Sequence, residues 1–483
     1  MKTVLSVVMC SFMATSCAYM DYDDRSNFTG DGYYEPDAVG DRFEGVAENP
    51  FIKTSDENVS TFSVDVDAAS YTVMRKYVKS GWAVPSESVR IEEYLNYFTF
   101  NYPEPSDGVS GSYETSVCPW DQSHYLMRIG LKGANLSEDE LPLANYVFLV
   151  DVSGSMYPKE KLDLFKSSLL AMLDYMKPED RVSIITYSGR AEKLLESTLV
   201  SDISTIKDAI RKLVASGSTN GGEALQMAYD EALANYIPGG NNRIIMGTDG
   251  DFNVGVRDDK SLVEIVEANA KNGIYLSICG FGSGDLNDAM MKKISVAGNG
   301  SYYYIDSEAE MAKVFIKERS KMTAVANDVK VQICFDADKV DSYRLIGYER
   351  RVMNRQDYDD DSKDAGEIGA GQTVTALYEI VPKAGSADGD LLGTFDCKYK
   401  KSISDETAIV LPQMNLFYNT KDTSSEMSFA SGVAAFGLVL LDSDYKGTAT
   451  LELASELVSK GLSFDPDGYR AEFAGLIKSL QDK

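Results

Sequence analysis

A chain of 483 residues with 44% hydrophobic and 25% charged side chains has room for roughly two to four domains with sizeable cores. Its composition excludes collagenous, coiled-coil and long disordered classes. Seventy-five acidic against 47 basic residues give a formal charge of −28, which repels phosphate backbones and anionic membrane surfaces and excludes nucleic acid as a partner. The charge describes a solvated acidic surface, with cation attraction as the sharper alternative.

At the N-terminus Lys2 precedes an apolar run over 4–13, followed by Ala14-Thr15-Ser16-Cys17. This pattern is a signal peptide, too short to span a membrane permanently. Small residues before a cysteine resemble a bacterial lipobox, although Ala14 stands where that pattern has Leu. The resemblance implies lipidation of Cys17 and membrane attachment through that lipid. Asp21, Asp23 and Asp24 resemble the acidic tether of some surface-exported lipoproteins of Bacteroidetes, which implies an outer-membrane location, surface exposure being the further step. Cys10 falls in the removed segment, leaving Cys118, Cys279, Cys334 and Cys397 as thiols. An oxidising compartment permits a disulfide. If one forms, Cys334 with Cys397 is the pair to expect, both being on predicted strands of one region, but connectivity cannot be read from sequence and buried free thiols are the default.

Residues 18–58 are rich in Asp, Gly, Asn and Pro without hydrophobic periodicity and predict a flexible tether. Order is expected from Val59, with a strand over 61–66, helices over 70–79 and 88–98, and strands over 111–117 and 125–131. From Tyr146 strands and helices alternate: strands over 146–150, 182–187, 243–248, 274–279 and 301–305, with helices over 159–176, 203–214, 222–236, 262–272, 286–297 and 309–317. Such alternation specifies a mostly parallel sheet covered by helices on both faces. Val147-Phe148-Leu149-Val150 and Arg243-Ile244-Ile245-Met246 are the nearly continuous apolar runs of strands buried on two sides. Beyond Met322 alternating strands return over 329–335, 373–381, 392–398 and 407–411, and helices follow over 429–441, 449–460 and 469–480. Few strands lie on either flank alone. The strands over 111–131 and 329–411 are therefore expected to combine into one β-domain, with the α/β unit inserted in it.

Three loops of the α/β unit carry oxygen ligands: Asp151, Ser153 and Ser155 in a DxSxS motif, Thr219 in Gly217-Ser218-Thr219-Asn220, and Asp249 in Thr248-Asp249-Gly250. In an open parallel sheet the strands' C-terminal ends form the ligand-binding edge, so the three loops can converge. Carboxylate and hydroxyl oxygens suit a hard cation, Mg²⁺ or alternatively Ca²⁺ or Mn²⁺, and the lack of nearby His or Cys argues against zinc.

These residues resemble the metal-ion-dependent adhesion site of the von Willebrand factor A (VWA) family, written DxSxS, Thr, Asp. The resemblance implies that Asp151, Ser153, Ser155, Thr219 and Asp249 hold one divalent ion, whose open position takes an Asp or Glu carboxylate from a protein partner. It extends to bacterial YfbK-type VWA proteins through Ser60-Thr61-Phe62-Ser63-Val64-Asp65-Val66-Asp67, Val89-Arg90-Ile91-Glu92-Glu93-Tyr94-Leu95-Asn96-Tyr97-Phe98, Cys118-Pro119-Trp120 and Tyr343-Arg344-Leu345-Ile346-Gly347-Tyr348-Glu349. The expected fold is α/β, a doubly wound, mostly parallel VWA (Rossmann-like) sheet inserted in a β-rich domain formed by both flanks, with a small C-terminal helical region. The expected division is a signal peptide with lipobox (1–17), tether (18–58), N-terminal associated region (59–144), VWA domain (145–321), β-rich region (322–420) and helical region (421–483).

Other signals carry less. Asp65 and Asp67 on one face of a strand form a conceivable second cation site, with hydrogen-bonded structural carboxylates the plainer reading. The acidic run Asp357 to Asp361 lacks the Gly and Glu of a calcium loop and reads as a solvated loop. His124, the single histidine, lies outside the α/β unit and cannot serve a Ser-His-Asp triad there. Tyr302, Tyr303 and Tyr304 fit the last strand of the sheet better than a carbohydrate platform. Gly280-Phe281-Gly282-Ser283-Gly284 lacks a phosphate-loop Lys and predicts a turn. The leading expectation is a non-enzymatic, metal-dependent protein-binding module in adhesion or envelope assembly. The alternatives are a structural envelope protein with a stabilising cation and a metal-dependent hydrolase, which lacks an obvious general base.

Overall fold

The computed structural model describes residues 40–483 except 65, 66, 219, 220, 251–258, 283, 285 and 364. Cys17 and the expected signal peptide therefore lie outside the described residues, as do Asp65 and Thr219.

The apolar runs build a six-stranded sheet in the order Tyr302–Ile305, Tyr275–Phe281, Asn241–Thr248, Ala144–Asp151, Arg181–Tyr187, Ala191–Leu199. The first five strands are parallel and the last is antiparallel. Side chains alternate across a strand, so Val147 and Leu149 pack on one face against Ala224, Leu225 and Ala228 of the helix Gly222–Ala234. Phe148 and Val150 pack on the other face against Phe165, Leu169 and Ile210. Both faces are covered, which is why the central strand is buried along its whole length.

The flanks combine as the strand count suggested. Tyr125–Gly133 pairs with Val109–Val117 on one side and with Thr373–Pro382 on the other. Val59–Ser63 pairs with Ala324–Phe335. Two antiparallel sheets thus draw strands from before and after the α/β unit, and Phe62, Met127, Ile129, Val331, Ile333 and Ile380 share one core between them. The helices Ser425–Leu441, Leu451–Lys460 and Tyr469–Gln481 do not stand apart. Phe429, Phe436 and Phe473 pack with Tyr71, Tyr94 and Phe98 of the N-terminal helical segment in one aromatic core. No helix among the described residues is long and apolar enough to cross a membrane.

Two expectations need correction, and the cysteines take their default state. The last part of the stretch expected as a flexible tether is tied into the fold: Ile52–Lys53 adds to the strand Val340–Ile346, and the Asn49 amide donates to the carbonyls of Leu345 (3.1 Å) and Gly347 (2.8 Å). The strand expected over 61–66 stops at Ser63, before Asp67. Cys334 and Cys397 are free thiols. Across the ladder Cys397 faces Val331 while Cys334 faces Thr394, an offset of three residues, or about 10 Å along the strand. The odd offset also puts the two side chains on opposite faces, out of disulfide reach. Among the longer strands, Ala191–Leu199 and Val340–Ile346 escaped the sequence reading.

Candidate metal centre

The strand Ala144–Asp151 delivers Asp151 to the C-terminal edge of the sheet, fully buried. Its Oδ1 accepts the Ser153 backbone N–H at 2.8 Å, folding the chain into a single tight turn over Gly154–Met156. Met156 is buried beneath this turn, and the Ser153 and Ser155 hydroxyls are brought to 3.0 Å of each other. The turn is tied to the segment preceding Thr219: the Gly154 N–H donates to the Gly217 carbonyl at 3.0 Å and the Ser216 N–H to the Val152 carbonyl at 2.7 Å. Gly217 adopts φ +85°, a left-handed backbone that favours glycine. A side chain at Gly154 would crowd the Gly217 carbonyl at 3.3 Å.

Asp249 arrives from the neighbouring strand. Val150 and Gly247 are in register, so the next residues of both strands meet at the same edge. Thr248 links them: its hydroxyl donates to Asp151 Oδ2 at 3.2 Å and accepts the Gly250 N–H at 3.1 Å. Asp249 is itself buried, and its Oδ2 accepts from the Lys161 ammonium at 2.9 Å. Lys161 lies in a π-helical turn, Lys159–Asp163, that opens the helix after the motif.

Burial pushes Asp151 up to about 6; the bonds from Ser153 pull it down, and the charge of Asp249 pushes it up again. Burial, followed by the charge of Asp151, holds the neighbouring Tyr187 phenol well above its ordinary range. Burial and the nearby charge of Asp249 both disfavour ionisation of Asp151, and a cation bound to Asp151 would offset them. The donors are carboxylate and hydroxyl oxygens, and Asp249 already accepts one cation, the ammonium of Lys161. This set fits a hard divalent ion such as Mg²⁺. No group of three or more His, Cys, Asp and Glu side chains among the described residues could hold a metal, so an ion here would depend on the serine hydroxyls.

Of the five expected ligands, Asp151, Ser153 and Ser155 share one loop, Asp249 lies beside them, and Thr219 falls outside the described residues. Sequence reading missed Lys161 and Thr248. Thr248 was reachable as the neighbour of Asp249; Lys161 carries no local signal, because its partner is 88 residues away.

The remaining signals resolve as structure. Asp67 accepts from the Lys292 ammonium at 2.8 Å and from the Tyr302 N–H at 2.7 Å. His124 Nδ1 lies 2.7 Å from Glu379 Oε1 in the β-sandwich region. Tyr302 and Tyr304 are buried in the edge strand Tyr302–Ile305. The acidic run folds over a lysine cluster, with Asp361 paired to Lys398 at 2.9 Å.

Family comparisons agree with this architecture. Residues 146–251 match the von Willebrand factor type A domain, residues 37–128 a von Willebrand factor model, and residues 320–482 the C-terminal region of the uncharacterized protein YfbK. Protein YfbK of Escherichia coli K12 is 35% identical over 463 residues, covering 90% of this chain and 80% of that one. The uncharacterized protein sll0103 of Synechocystis is 29% identical over 208 residues, 43% of this chain and 48% of its own. A von Willebrand factor type A protein from Catenulispora acidiphila aligns in structure over 78% of this chain and 91% of its own, at 16% identity and a TM-score of 0.49. With relatives matching from the N-terminal strands through the last helix, the chain belongs to the YfbK family of VWA-domain proteins.

Proposed function

We propose that the chain is a binding protein that holds one divalent cation with Asp151, Ser153, Ser155, Thr219 and Asp249 and engages a protein partner through it. The observation that carries this reading is the buried pair of carboxylates beside two hydroxyls 3.0 Å apart at the ligand-binding edge of the sheet. Bound there, a Mg²⁺ ion supplies an electrophilic position that a partner's Asp or Glu carboxylate completes. The chain's own residues orient the oxygens and exclude water: the Ser153 N–H and the Thr248 hydroxyl fix the Asp151 carboxylate, and Met156 closes the turn from below.

Binding is favoured over hydrolysis because the single histidine is spent on Glu379 in a different part of the fold. The N-terminal pattern ending in Cys17 supports a lipid-anchored envelope protein, with adhesion or assembly of an envelope complex as its task.

The test is capture of a cross-linked partner from the envelope of intact cells. Wild type should capture it in Mg²⁺ and lose it in EDTA, and Asp151→Ala should lose it in both. A Cys17→Ser variant should leave the membrane fraction. Capture that survives both EDTA and Asp151→Ala would sink the reading.

A further inference from the structure

The site holds a positive charge of its own. Lys161 is buried, and its ammonium donates to Asp249 Oδ2 at 2.9 Å. Its position is built by more than that bond. The stem lies against Gly282, which adopts φ +77°, and a Cβ there would sit 2.2 Å from Lys161 Cε. Gly282, Gly284 and Leu286 are held by hydrogen bonds from the far side. The Gly282 carbonyl accepts from Lys76 Nζ at 2.8 Å and from the Tyr304 hydroxyl. The Asp41 carboxylate accepts the N–H groups of Gly284 (2.6 Å) and Leu286 (3.1 Å). Behind Lys161 the chain runs into buried Leu162. A lysine seated between Gly282 and a buried turn has little room to withdraw.

Resting on the reading of Asp151 and Asp249 as metal ligands, we propose that Lys161 is a resident counter-cation. It stays on Asp249 when the divalent ion binds, and so makes ion binding depend on an external carboxylate. Among the described residues, the carboxylates of Asp151 and Asp249 and the ammonium of Lys161 together carry a single negative charge. With a divalent ion added, the balance becomes one net positive charge. In a water-poor site that surplus opposes the ion, and an incoming Asp or Glu side chain removes it. Ion and partner then bind cooperatively, each raising the other's affinity by the same factor. A module of this kind stays loosely metallated until its partner arrives.

The experiment is titration of the full chain with Mn²⁺, free Mn²⁺ being read by electron paramagnetic resonance, with and without acetate as a carboxylate probe. Wild type should bind Mn²⁺ more tightly when acetate is present. Lys161→Met should bind Mn²⁺ at least about tenfold more tightly without acetate, and its response to acetate should shrink. Lys161→Gln retains a donor to Asp249 without the charge; it should behave as Lys161→Met does and guards against a packing artefact. If both variants bind Mn²⁺ no better than wild type, or retain the full acetate response, the counter-cation role is overturned while the metal site stands. If Mn²⁺ binding is absent, or is unmoved by Asp249→Ala, the metal reading falls and this inference with it.

Discussion

Carboxylates are buried in two parts of this molecule, and the two parts treat their charge differently. Along the seam between the α/β unit and the N-terminal helical segment, carboxylates and cations interlock. Arg90 donates to Glu93 (2.6 Å) and through two nitrogens to Asp288 (2.7 and 3.0 Å). Lys292 bridges Asp67 and Glu93 at 2.8 and 2.9 Å. Arg75 holds Asp306 and Glu310 at 2.6 and 2.7 Å. At the sheet edge, by contrast, Asp151 is met by neutral donors, the Ser153 N–H and the Thr248 hydroxyl, and it faces the charge of Asp249. Buried ion networks with complete pairing hold elements in register. A buried carboxylate left short of positive charge is a candidate site for a cation.

The comparison breaks most visibly at Arg90. Arg90→Met leaves Glu93 and Asp288 buried with less positive charge and should cost about 3–5 kcal/mol in urea unfolding. A loss below about 1 kcal/mol would mean that the seam is not held by its ions. The opposite sign is expected at the site. In EDTA, Asp151→Asn should stabilise the protein at pH 7 by up to about 3 kcal/mol, the linkage value of a carboxyl raised to about 6 from 3.8. An amide there still accepts the Ser153 N–H and can donate to Thr248. The pH dependence follows from the raised value. The stability contributed by the protonated Asp151 carboxyl is complete below 3.8 and is lost as pH rises through about 6. Stripped of metal, wild type should therefore lose stability across that window relative to Asp151→Asn. Parallel pH profiles for the two would contradict the charge imbalance.

Much of this was legible in the sequence where the controlling contacts are local or strongly periodic. The apolar run Val147 to Val150 announces a strand covered on both faces, and the α/β rhythm that follows fixes the parallel sheet. Insertion of that unit in a β-domain could be inferred because neither flank carries enough strands to bury a sheet alone. Ala191–Leu199 was not legible: it is an edge strand with no fully buried residue, so it carries no apolar alternation. Val340–Ile346 was obscured by Arg344, a charged residue that is buried and pairs with Glu379 on the adjacent strand at 3.1 Å. The order of residues 40–58 rests on side-chain bonds to a distant backbone, such as those of Asn49, which leave no period. Whether Cys334 and Cys397 could pair was undecided because it turns on register, which strand propensity does not reveal. At the site, the loops that carry Asp151, Ser153, Ser155 and Asp249 could be read from their motifs. Lys161 could not, because only the folded sheet brings it to Asp249.

The most direct test is a crystal of the protein grown with Mn²⁺, with diffraction recorded at the manganese absorption edge. The account predicts one anomalous peak at the sheet edge, within direct or water-bridged reach of Asp151, Ser153, Ser155 and Asp249. Saturating Mn²⁺ with no peak there, and the Lys161 to Asp249 pair alone filling the space, would contradict it.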